Sequence, residues 1–150
     1  MKVVVGGFGA EPYQMPAGDL SLKTDEAGNP YRQADSIQQY NRPEITISYS
    51  VYGNEDYEIV SATFEVTNDR LGDTTNFIMS ADSYFQFLAS IPYTTSNEEE
   101  FSNWLLGSAF LVMDGSEPQT TTIGDATFTV TGTIVNDICT VVSVHMERAQ

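Results

Sequence analysis

Cys139 and His145 are the only cysteine and the only histidine in the chain, so they are its one candidate thiolate–imidazole pair. Both fall in the run Ile138–Met146, where they have the same strand parity and would share a face. They are six positions apart. At about 3.3 Å per residue that is roughly 20 Å, well beyond hydrogen-bond reach. The spacing therefore predicts a small buried cysteine and a partly exposed histidine, not a dyad. A Ser-His-Asp triad would have to use His145, and no G-x-S-x-G elbow marks its nucleophile.

Metal and cofactor chemistry have equally thin support. One Cys and one His cannot supply a zinc set. No D-x-[DN]-x-[DN]-G loop occurs, although the turns Asn54-Glu55-Asp56, Asp69–Asp73 and Asp114–Glu117 could each lend oxygens to calcium. Asp and Asn also favour turns for local reasons, and that is how these three read. Gly6-Gly7-Phe8-Gly9 lacks the third glycine and following helix of a dinucleotide fingerprint, and the G-K-[ST] of a P-loop. No cofactor and no metal is expected. Two carboxylates would suffice for glycoside hydrolysis, but with 21 acids the sequence cannot say which two converge. Tyr49, Tyr52, Tyr57, Tyr84, Tyr93 and Trp104 could stack on sugars; Tyr49 and Trp104 sit on apolar stripes and read as core or interface.

The elements that would position any such site are mostly strands. In Glu44–Tyr52, Ile45, Ile47, Tyr49 and Val51 alternate with small polar residues. After the turn Gly53-Asn54-Glu55-Asp56, Tyr57–Thr67 alternates again, with Val60, Ala62, Phe64 and Val66 on one face. The two runs predict an antiparallel hairpin. Thr127–Val135 carries Phe128, Val130 and Ile134 on one face and a row of threonines on the other. Asn136-Asp137 turns the chain into Ile138–Met146, with Val142, Val144 and Met146 inward. Ala109–Met113 reads as a short apolar strand. Helical spacing of Ala81, Tyr84, Phe85 and Leu88, with Ser80 as cap, predicts a helix around 81–90. Asn97, Glu98-Glu99-Glu100 and a terminating Gly107 predict a second around 98–106, with Phe101, Trp104 and Leu105 as its apolar face. The expected fold is mainly β: a single antiparallel β-sandwich or jelly-roll-like domain with one or two short helices.

Residues 1–43 differ from the rest. Pro12, Pro16, Pro30 and Pro43 punctuate them, and short strand candidates remain only at Lys2–Val5 and Asp19–Lys23. Gly28-Asn29-Pro30 predicts a turn. The segment reads as an extended N-terminal arm or peripheral hairpin, with 44–150 as the core domain. Val3, Val4, Val5, Phe8 and Tyr13 are its candidate assembly residues.

At 150 residues the chain is long enough to bury a core without disulfides. Six Lys and Arg against 21 Asp and Glu give a formal net charge of −15, and residues 71–147 hold ten carboxylates and no Lys or Arg. Such a surface repels phosphate and anionic lipid, which argues against direct nucleic-acid or membrane binding. The start Met1–Phe8 is too short and too quickly interrupted for a signal-peptide core, so synthesis in the cytoplasm without a leader is expected. The function expected is that of a non-enzymatic structural protein, a virion component such as a capsid decoration, capsid or tail protein, acting as a homo-oligomer or with other structural subunits. Two alternatives stand beside it. One is an acidic inhibitor or nucleic-acid mimic that blocks the groove of a basic protein; the other is a carbohydrate-binding β-sandwich.

Overall fold

In the computed structural model, the described residues are 8, 11–16, 20–40, 42–68, 74–89, 91 and 98–149. The two alternating runs build the centre of the sheet. Strand β3 (Arg42–Gly53) buries Ile45, Ile47 and Val51, and β4 (Ile59–Asn68) buries Ala62, Phe64 and Val66. They pair antiparallel, with Tyr49 opposite Phe64 and Val51 opposite Ala62. A bulge near Gly53 places Ile59 opposite that glycine and leaves Val60 unmatched. Ile59 is therefore fully buried and Val60 only half-buried, a correction to the alternation read from the sequence.

Strand β1 is Lys23–Thr24 and β2 is Pro30–Tyr40. The turn between them is held by Asp25, whose carboxylate accepts from the Ala27 and Asn29 amides. The apolar pattern of β2 is inverted, so no alternation marks it as a strand in the sequence. Its inward side carries Ala34, while Ile37 points outward and is 78% exposed. Even so, β2 pairs with β3 from Arg32–Gly53 to Gln39–Thr46. The proposed boundary at 43/44 thus falls inside β3. Lys2–Val5 lies outside the described residues.

Two helices follow. Helix α1 spans Thr74–Ala89 and α2 spans Glu98–Met113. Both are longer than the 81–90 and 98–106 expected, and Ser80 lies within α1 rather than before it. Gly107 does not end α2. The stop comes at Gly115, with φ +91, where the Gly115 amide donates to Val112 O and the Ser116 amide to Leu111 O. That is a Schellman cap. Ala109–Met113 is therefore the last turn of a helix and not a strand; a short apolar run has no period that separates the two.

The chain returns as β5 (Gln119–Ile123), β6 (Ala126–Val135) and β7 (Ile138–Arg148). Asn136 and Asp137 both have positive φ, 51° and 64°, as a two-residue hairpin turn requires. The seven strands form one antiparallel sheet in the order β1-β2-β3-β4-β7-β6-β5. The mainly β, antiparallel reading is what the structure shows, and α1 and α2 form the layer over one face. The opposite face presents threonine and serine, with Thr63, Thr127, Thr129 and Thr131 among them. A second bulge, at Thr140, ends the regular register of β6 and β7. The core face of β6 stops at Val130; Ile134, expected inside, is 41% exposed.

The core runs between sheet and helices. Phe64, Phe77, Phe85, Phe128, Leu88, Leu105 and Met146 are fully buried in it. Phe8, Tyr13 and Met15 belong to the same cluster. Each buried large apolar side chain contributes about 1.5–3 kcal/mol relative to exposure. Phe101 packs on Phe128 at 4.6 Å between ring centroids and so fastens α2 to β6.

Candidate functional site

The bulge at Thr140 decides the fate of the Cys–His pair. It rotates Cys139 onto the core face, where it is 8% exposed and its Sγ donates to Val141 O at 3.5 Å. Burial pushes its pKa up, which favours the inert thiol. His145 points to the open face, with Nδ1 2.8 Å from Thr63 Oγ1 and Nε2 3.6 Å from Glu147 Oε1. The shared face expected from parity is thus corrected: the two side chains lie on opposite sides of the sheet.

The turn at Asn54 uses its side-chain amide oxygen locally. Asn54 Oδ1 accepts from the Asp56 and Glu58 amides at 2.9 and 3.0 Å. Asp114 opens the cap of α2. Asp69–Asp73 lies outside the described residues. Among the described residues, no three His, Cys, Asp or Glu side chains converge as a metal site would require. A groove of about 320 Å³ lies beside Trp104, between α2 and the β5–β6 turn, and among the described residues Glu100 is the one carboxylate lining it. Trp104 stacks on Phe101 at 6.1 Å and 17°, as part of the helix packing.

The other singled-out tyrosines are structural or scattered. Tyr84 donates its hydroxyl to Ser48 O at 2.8 Å, and burial raises its pKa. Tyr52 lies on the open face near Tyr31. Tyr57 lies under Arg32, and Tyr93 is outside the described residues. Val3, Val4 and Val5 are likewise outside them. Phe8 and Tyr13, candidates for contact with a neighbour, are buried in the chain's own core.

The most connected polar cluster was not anticipated. Arg148, the single cation after Arg70, lies 4.0 Å above the Tyr13 ring. Its Nε and Nη2 donate to Asp125 Oδ2 at 3.3 and 3.2 Å, and its Nη1 donates to Ile59 O at 3.0 Å. Tyr13, in the left-handed region at φ 58°, offers its carbonyl to the Ile59 amide. The cluster clasps residues 13–16 to the corner between β3 and β4. The signal for it was present, since a lone cation in an acidic half must have partners close by. Arg32 forms a second clasp, over Tyr57 at 4.0 Å and onto Leu20 O and Glu55 O.

The Arg148 clasp makes a pH prediction. Its hydrogen bonds hold the Asp125 carboxyl below the usual range. That contribution is present above the unfolded carboxylate pKa of about 4 and is lost as pH falls through the lower folded value. Burial, with Asp125 nearby, pushes Tyr13 up to about 12. Its contribution is complete below the unfolded pKa of about 10 and is lost as pH rises through the folded value. Arg148→Ala should cost about 1–3 kcal/mol, through the lost cation–π contact and the orphaned Ile59 carbonyl. It should also flatten the acid limb of the stability profile. Urea midpoints measured across pH check both; an unchanged midpoint at neutral pH would contradict the clasp.

No protein-family model, no curated protein and no solved structure matches the chain. The fold and its surfaces therefore define the class: an acidic antiparallel sheet covered on one face by two helices.

Proposed function

We propose that the chain is a non-enzymatic structural protein that works by assembly with copies of itself, and that its setting is a virion, as a decoration, capsid or tail component. The edge of β2 carries this reading. Among the described residues, only Pro30 and Tyr31 of that strand pair outward, with β1. Among the described residues none pairs with the outer row of amides and carbonyls of the remainder, Arg32–Tyr40. Its interior has no Pro and no Lys to guard it, and the exposed Ile37 lies along it. Edges of this kind accept a strand from a neighbouring chain. The acidity sets the conditions, because a net charge of −15 opposes self-association at low salt and is screened beyond about 8 Å at physiological salt.

Amide directions alternate along a strand, so of two neighbouring residues one donates to β3 and the other outward. Proline at the outward position removes a donor that only the neighbour uses. Of Ser36→Pro and Ile37→Pro, one should fold with near wild-type stability and scatter light as a single chain. The other should be destabilised by about 3 kcal/mol, because it breaks the β2–β3 ladder. A folded proline variant that keeps the wild-type oligomer mass would place assembly elsewhere.

A further inference from the structure

We infer that the end of the molecule formed by the C-terminal turn of α2 and the β6–β7 turn is a docking site for a basic, amphipathic segment of another protein. This goes beyond the assembly reading: it adds a partner, on a surface separate from the β2 edge, and does not depend on self-association.

Helix α2 is apolar on two sides in its second half. Leu105, Ala109 and Val112 face the core, yet Phe110 and Leu111 beside them are 50% and 49% exposed. A helix apolar around most of its circumference is normally covered on both sides. The β6–β7 ribbon reaches the same end. Strand β5 pairs with β6 only as far as Val130, and β4 pairs with β7 only from Val141 onward. Among the described residues the ribbon therefore continues as two strands, with Ile134 and Val135 exposed at 41% and 43%. Between helix and ribbon lies an open groove of about 330 Å³, lined by Phe77, Phe110, Met113 and Ile138.

Charge identifies the occupant. The groove is flanked by Asp114 on the helix side and Asp137 on the ribbon side. The negative end of the α2 dipole lies there too, with no basic residue in the last turn to offset it. Residues 71–147 contain no Lys or Arg. An apolar floor with a negative rim complements a segment that presents large apolar side chains flanked by Lys or Arg. A second copy of this chain does not fit that description. It carries six cations against 21 acids, and Arg32 and Arg148 are engaged within the fold.

The test is fluorescence anisotropy of a labelled amphipathic Leu/Lys peptide, with a Leu/Glu peptide of the same spacing as control. The Lys peptide should bind the wild-type chain with an affinity that falls as salt rises, and the Glu peptide should not bind. Any chain this acidic attracts a cationic peptide diffusely, so location is the discriminating readout. Asp114→Asn with Asp137→Asn, and separately Phe110→Ser, should each weaken binding about tenfold, equivalent to one decade in Kd. Glu55→Gln with Asp56→Asn removes the same charge at the β3–β4 turn and should leave Kd within about twofold. Equal loss in both charge pairs, indifference to Phe110→Ser, or no binding of the Lys peptide would overturn the inference. Oligomer mass, measured on the same variants, is expected to stay at the wild-type value. A monomeric wild type that still binds the peptide here would end the self-assembly reading and leave this one standing.

Discussion

Phe8→Ala should cost about 3–5 kcal/mol, a large part of the roughly 5–15 kcal/mol that holds a domain of this size together. The ring is fully buried, 5.6 Å from Tyr49 at 62° and 6.5 Å from Phe64 at 47°. Truncation removes the transfer energy of an aromatic side chain, and it leaves a cavity against the core face of β3 and β4, beside Tyr49 and Phe64, that close packing cannot readily fill. Urea unfolding followed by circular dichroism measures the change directly. Leu22→Ala, also within residues 1–43 but at a side chain 48% exposed, should stay within about 0.5 kcal/mol. If Phe8→Ala were equally mild, residues 8–16 would be a dispensable arm and not part of the core.

Gly132→Val should cost about 3 kcal/mol, through overpacking. A Cβ at Gly132 would lie 2.6 Å from Val112 O and 3.0 Å from its carbonyl carbon. Those are backbone atoms of the last turn of α2, so no side chain can move aside to make room. The helix end would have to lift from the ribbon, opening the Schellman cap and the packing of Val112 together. Gly107→Ala is the instructive counterpart. It is also in or beside α2, but nothing lies within 4 Å of the new Cβ. Replacing glycine within a helix should there stabilise by about 0.5–1 kcal/mol. Thermal melts of the two variants should move in opposite directions. A neutral Gly132→Val would mean that α2 does not seat on β6 as described.

Much of this fold was legible because burial and period coincide. Ile45, Ile47 and Val51, then Ala62, Phe64 and Val66, then Val142, Val144 and Met146 alternate in the sequence and are buried in the structure. The turn at Asn136-Asp137 was readable because both residues tolerate positive φ. What was missed has local causes. Two bulges, at Val60 and Thr140, reverse parity near the start of β4 and of β7 without any residue that announces them. The second of these also moved Cys139 away from the face of His145. Strand β2 was hidden because its buried inward residue is the small Ala34, while Ile37 faces outward. The N-terminal core residues Phe8, Tyr13 and Met15 sit among glycines and prolines with no period at all. They are held by long-range contacts, to Tyr49, Phe64 and Arg148, that no local window contains.

The same finding reshapes the assembly argument. An N-terminal arm that reaches out to a neighbour cannot rely on Phe8 or Tyr13, because both are used at home. We therefore place the proposed self-association on the outer edge of β2, and the proposed partner on the apolar, acid-rimmed end of α2. The most direct test is native mass spectrometry of the wild-type chain at physiological ionic strength and a fixed chain concentration of roughly 20 μM, since the population of an oligomer depends on protomer concentration. The expected mass is at least twice the 16.5 kDa of one chain, falling to 16.5 kDa in whichever of Ser36→Pro and Ile37→Pro folds. A wild type that flies as a single chain under those conditions would contradict it.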